Sequence, residues 1–83
     1  MRVRYFAWVR ERVGVGEEDV DLPAEVANVA DLMAYLARRD EGYGAAFAQP
    51  SVIRAAIDRR HVAHATSLAG AHEVAFFPPM TGG

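Results

Sequence analysis

The chain has 83 residues, 52% of them apolar, and a formal net charge of -2, which fits one small globular domain around a single core. It holds no cysteine, so disulfides, thiolate metal sites and a cysteine nucleophile are excluded, and sulfur cannot ride on a side-chain thiol. Neither a basic stripe for nucleic acid nor an apolar run for a membrane span or signal peptide is present, and the expected compartment is the cytoplasm.

Residues 2–8 alternate in polarity. Val3, Tyr5 and Ala7 fall on one face and Arg2, Arg4, Phe6 and Trp8 on the other, which predicts a strand with one buried face. Phe6 and Trp8 share the arginine face, where aromatic rings suit either a partner surface or a cover over neighbouring side chains. Residues 9–17 hold Gly14 and Gly16 and read as a turn region. Alternation resumes over 18–22, with Val20 and Leu22 against Asp19 and Asp21, and predicts a second strand in a hairpin with the first.

Asn28 is a suitable helix N-cap, with Asp31 three residues on as its capping-box partner. Val29, Leu32, Met33 and Leu36 then make one apolar helix face. Arg38 and Arg39 suit the helix C-terminus, where the dipole favours cations, and Gly42 is the expected stop. An acidic partner is the alternative reason for that arginine pair.

Residues 43–49 are ambiguous, with a helical turn that packs Phe47 inward as one reading. Residues 52–58 predict a third strand with Ile53, Ala55 and Ile57 on the core face, and Asp58-Arg59-Arg60 turns it into a short strand over 61–63. Residues 66–72 form a loop that packs Leu68 on the core. The last strand starts at Glu73, with Val74 and Phe76 inward and, by the period of two, Ala75 and Phe77 on the opposite face. This set of elements predicts an α+β fold, a mixed sheet packed on one main helix. If the first and last strands are neighbours, Phe6 and Phe77 join one apolar patch at the surface, where a partner would press first.

The chain closes on EVAFFPPMTGG. Pro78 and Pro79 end sheet pairing and favour a stiff exit. The residues from Pro78 onward could project about 20 Å. Gly82 and Gly83 have no Cβ and suit a channel too narrow for side chains. The one notable chemical group of the tail is the α-carboxylate of Gly83, which another protein could activate. Residues 1–77 therefore read as the folded domain and 78–83 as a flexible C-terminal tail.

Other constellations carry little chemistry. His61 and His64 lie on opposite faces of a strand without an acidic cluster beside them, so no metal site is expected, and His72 reads as a solvated loop residue. Ser51, Thr66 and Ser67 lack a base and its orienter. Gly14-Val15-Gly16 matches no phosphate loop. Neither a bound cofactor nor independent catalysis is predicted. All nine basic residues are arginine, which base composition accounts for, as the abundance of alanine also suggests. An activated C-terminal acyl group would thus meet no lysine amine on a sister molecule, only the N-terminal amine.

The segment from Glu73 to Gly83 resembles the C-terminus of the small subunits of molybdopterin synthase, a family of ubiquitin-like sulfur carriers. Tyr5-Phe6-Ala7 followed by Val9-Arg10-Glu11 is similar to that family's first strand, and Ala55-Ala56-Ile57-Asp58 with Val62 to its middle strand pair. The resemblance implies a β-grasp (ubiquitin-like) fold with an extended Gly-Gly tail. It also implies a chemical cycle at Gly83. An E1-like adenylyltransferase uses ATP to adenylate the carboxylate, and a sulfur donor protein converts the adenylate to a thiocarboxylate. The large synthase subunit then takes the tail and passes the sulfur to cyclic pyranopterin monophosphate in molybdenum cofactor biosynthesis.

By position, Gly83 would carry the sulfur, while Gly82, Thr81, Met80, Pro79 and Pro78 would thread the partner and Phe77, Phe6 and Ala75 would form its interface. A cytoplasmic heterotetramer with two large subunits is implied as well. Two departures touch turn geometry: Gly70-Ala71-His72 replaces an Asp-Gly-Asp turn, and Asp58 stands where asparagine is common. Other readings of the same tail are a carrier for another sulfur pathway such as thiazole synthesis, a protein modifier conjugated through Gly83, or a non-catalytic interaction module.

Overall fold

The computed structural model describes residues 1–79. Strand β1 is Arg2–Tyr5, with Val3 and Tyr5 fully buried on one face. It ends earlier than the polarity pattern predicts. Phe6 is still extended, but Ala7 takes a left-handed φ of 52°, and the chain turns into helix α1, Ala7–Val13. A helix therefore occupies most of the expected turn region. Val9 buries on its inner side, and Gly14, at φ 100°, closes it with an N–H bond to the Arg10 carbonyl. Trp8 leaves the sheet with the helix, where the Arg12 guanidinium sits 4.4 Å above its ring.

Strand β2, Glu17–Asp19, is shorter than expected and pairs antiparallel with β1. Val20 follows it into the core. Helix α2, Val29–Ala37, matches its pattern: the Asn28 side chain accepts the Asp31 N–H at 2.8 Å, and Val29, Leu32, Met33 and Leu36 are all buried. The Asp31 carboxylate accepts in turn from the Ala27 N–H at 3.0 Å. A cap of this kind stabilises a helix by about 1 kcal/mol.

Gly42 is not a stop. Asp40 caps a further helix, α3 (Glu41–Ala46), and Gly42 lies inside it. A Cβ at Gly42 would come within 2.5 Å of the Arg12 carbonyl oxygen, so the glycine is what lets α3 cross α1 this closely. Phe47 then turns inward, as one reading of 43–49 had it.

A 3₁₀ turn at Pro50–Val52 leads into β3, Arg54–Ile57, which returns as β4, Arg60–Val62. Asp58 and Arg59 at the tip both have positive φ, 47° and 71°, which makes a two-residue turn whose twist suits a hairpin. Leu68 packs on the core from the following loop. Strand β5, Glu73–Phe77, inserts parallel to β1 and antiparallel to β3, giving the order β2-β1-β5-β3-β4. The first and last strands are thus central neighbours. The inner face of this mixed sheet packs on α2, with Phe47, Tyr5 and Phe76 as its aromatic centre. This is the β-grasp arrangement.

Candidate functional site

Strand β5 carries the end of the domain, and the residues around it decide what the tail presents. Val74 and Phe76 are fully buried, and Phe76 packs edge-on to Phe47 with ring centroids 5.1 Å apart. Full burial of such a side chain stabilises by about 1.5–3 kcal/mol, so β5 is held firmly from beneath. Ala75 and Phe77 alternate to the outer face, where both are half-buried.

The outer face can be read from the register. Ala75 lies between Arg4 of β1 and Ala56 of β3, and Phe77 lies opposite Arg54. His61 of β4 pairs with Ala56. Its ring sits 5.1 Å from that of Phe77. Phe6 follows β1 and donates its N–H to the Phe76 carbonyl at 3.0 Å, which brings it beside the strand's exit. Its ring is 40% exposed and lies 5.2 Å from the Arg4 guanidinium.

Phe6, Ala75 and Phe77 therefore share one face, as expected. Trp8, the other aromatic residue read onto that face, is absent from it because α1 carries it away. The two aromatic rings stand among Arg4, Arg54 and His61, with Glu73 reaching Arg4 at 4.0 Å, so the face is apolar at its rings and polar between them. An aromatic surface of this kind, with arginine beside it, has the composition of an interface core.

Pro78 is half-buried and Pro79 exposed, with no strand beyond Phe77 as far as the described residues run. The expectations for Met80, Thr81, Gly82 and Gly83 lie outside the described residues. Among the described residues, no group of three or more His, Asp or Glu side chains could hold a metal ion. The Nε2 of His64 lies 2.8 Å from the Ile53 carbonyl oxygen, a structural contact, and His72 is exposed.

Three residues that the sequence reading left without a role build this face: Arg4, Arg54 and His61. A signal for His61 was available, since pairing 61–63 back on the third strand sets it across from Ala56. The departure at Asp58 also has a structural job. Its carboxylate accepts the backbone N–H groups of Glu73 and His72, each at 2.9 Å, and these bonds hold its carboxyl below the usual carboxylate range. The hairpin tip is thereby tied to the start of β5.

A polar cluster braces the opposite flank. Glu18 accepts from the hydroxyls of Tyr5 at 2.7 Å and Tyr43 at 2.6 Å, and from Arg39 at 2.8 Å. Partial burial works against the charge on Glu18, but the bonds from Tyr43, Tyr5 and Arg39 outweigh it and hold the carboxyl below its ordinary range. Burial, with Glu18 as the acceptor, pushes the Tyr5 phenol far up. Arg39 thus lies beyond the last turn of α2, where the sequence placed it for the helix dipole, and serves as a clamp across β2 and α3.

Comparison with known proteins agrees with this geometry. The model of the ThiS family matches residues 3–83. The molybdopterin synthase sulfur carrier subunit of Escherichia coli (strain K12) is 34% identical over 83 residues, spanning 100% of this chain and 99% of that protein. A Pyrococcus furiosus protein provisionally named molybdopterin converting factor, subunit 1, superposes with a TM-score of 0.73 at 31% identity over 94% of each chain. SAMP1 from Haloferax volcanii superposes with a TM-score of 0.72 at 25% identity, over 100% of this chain and 98% of that one. The chain belongs to the ThiS family.

Proposed function

We propose that this chain is the sulfur-carrier subunit of a molybdopterin synthase. Its full-length similarity to the Escherichia coli carrier subunit supports this most directly. The outer face of β5 adds a physical reason, because aromatic groups gather where the strand hands over to the tail.

In this reading the Gly83 carboxylate is the working group. A carboxylate is a poor acyl donor, so an E1-like adenylyltransferase first joins it to AMP from ATP, with pyrophosphate leaving. Hydrosulfide released by a sulfur donor protein then attacks the acyl carbon, the bond to AMP breaks and AMP departs, a proton goes to water, and a thiocarboxylate results. The large synthase subunit receives the tail and directs the sulfur to cyclic pyranopterin monophosphate. Phe6, Ala75 and Phe77 dock on the partner, Pro78 and Pro79 stiffen the exit, and Met80, Thr81 and Gly82 enter the channel. The carrier binds no cofactor of its own and catalyses nothing alone; reach and slenderness are its contribution. A cytoplasmic heterotetramer with two large subunits is the assembly this reading entails.

Removing Gly82 and Gly83 tests it. The shortened chain should unfold at the same denaturant concentration as the full chain, yet deliver no sulfur in a reconstituted synthase. Undiminished delivery would contradict the reading. Carriage of sulfur to another pathway, or conjugation to proteins, would use the same terminus, and mass spectrometry of the acceptor separates these.

A further inference from the structure

The charges on the outer face of the sheet are unevenly matched. Glu17 and Asp19 of β2, Arg2 and Arg4 of β1 and Glu73 of β5 share one side of that face by register and alternation. They answer one another. Arg2 pairs with Glu17 at 3.2 Å and Asp19 at 3.4 Å, and Arg4 reaches Glu73 at 4.0 Å. Arg54 of β3 has no such match. Its outer-face neighbours are Phe77, Ala56 and His61, and among the described residues no carboxylate lies within ion-pair distance of it.

This unmatched cation stands where the tail leaves. Arg54 is the register partner of Phe77, the last residue of β5. Beside it a groove of about 490 Å³ opens along β3 and β4, with Ser51, Arg54, His61 and His64 in its lining and no carboxylate among the described residues there. His64 is fixed by the Ile53 carbonyl at 2.8 Å, and the His61 ring, 5.1 Å from that of Phe77, carries an N–H in either tautomer. A partner that presses on Phe77 must also cover Arg54. Lost hydration opposes covering a guanidinium unless an anion meets it, and a carboxylate fits its planar fork with two parallel hydrogen bonds. Resting on the carrier reading, we infer that the large synthase subunit places an Asp or Glu side chain in this groove against Arg54, with His61 donating beside it. The aromatic rings then supply contact area, and the ion pair selects the partner.

Calorimetric titration of the cognate large subunit with the native chain and with Arg54→Leu, Arg54→Lys and Arg54→Glu tests this. Arg54 is exposed, so each variant keeps the fold. Arg54→Leu should bind about 30-fold more weakly than the native chain and Arg54→Glu more weakly still. Arg54→Lys, which keeps the charge without the fork, should fall between the native chain and Arg54→Leu. Added salt should weaken the native complex more steeply than that of Arg54→Leu. Binding by Arg54→Leu as tight as the native chain's, or the same salt dependence in both, would overturn the inference. Sulfur transfer by the native complex would survive that result, so the carrier reading would stand. A native chain that does not bind the large subunit at all would remove that reading and this inference together.

Discussion

Phe76 and Phe77 are neighbours in one strand and live in two environments. Phe76 is fully buried among Tyr5 and Phe47, whereas Phe77 is half-buried on the other side of the sheet with His61 against it. The same side chain thus serves stability on the inner face and is available to a partner on the outer one. The contrast extends along the sheet. Val3, Tyr5, Ala55 and Val74 face the core, while Arg4, Ala75, Arg54 and Phe6 lie outside it; Arg4 reaches Glu73 at 4.0 Å, and Arg2 beside it pairs with Glu17 and Asp19 in the open. Exposed pairs of that kind contribute little to stability. What holds the fold and what meets a partner are therefore separable by mutation.

Phe76→Ala should break the inner face with the largest effect, a loss of about 3–5 kcal/mol in denaturant unfolding, much of the total for a domain of this size. Phe77→Ala should leave unfolding within about 1 kcal/mol of the parent while weakening binding to the proposed large subunit by about 2 kcal/mol, measured by calorimetry. Equal losses of stability from the two would erase the distinction between the faces.

Glu18→Gln sharpens the comparison from the braced flank. It should cost about 1–2 kcal/mol at neutral pH and leave partner binding unchanged. Because the fold holds the Glu18 carboxyl below its ordinary range, its contribution is full above the unfolded pKa and fades as pH falls through the folded one. The variant's stability should accordingly vary less between neutral and acid pH than the parent's. Asp58→Asn should have the smallest effect, since asparagine tolerates positive φ and keeps an oxygen for the Glu73 and His72 N–H groups. Its unfolding midpoint at neutral pH should match the parent's, with only the acid sensitivity of that bond pair removed.

The parts of the fold that were legible in the sequence are those set by local rules. Asn28 with Asp31, followed by Val29, Leu32, Met33 and Leu36, marks α2 through capping and a 3.6-residue period. Alternation around Val74 and Phe76 likewise assigned both faces of β5. Helix α1 escaped because Phe6, Ala7 and Trp8 continue the alternation of β1, and the left-handed turn at Ala7 leaves no trace in polarity. Gly42 resembled a helix stop since glycine serves both for ending helices and for close helix contact, and only the Arg12 carbonyl beside it tells which. The Glu18 cluster draws on Tyr5, Arg39 and Tyr43, partners too distant in the chain for any local pattern. Of the candidate site, the aromatic face and Arg4 were readable from the period of two, whereas Arg54 and His61 depended on strand order.

Intact-mass analysis of the C-terminal peptide, after incubation with the activating enzyme, ATP and a sulfur source, tests most directly whether Gly83 bears the cargo. The account predicts the mass gain of one oxygen exchanged for sulfur, confined to the residue at position 83 and lost again once the large subunit and pterin substrate are added. A peptide of unchanged mass, from a carrier whose partners nevertheless complete the cofactor, would contradict it.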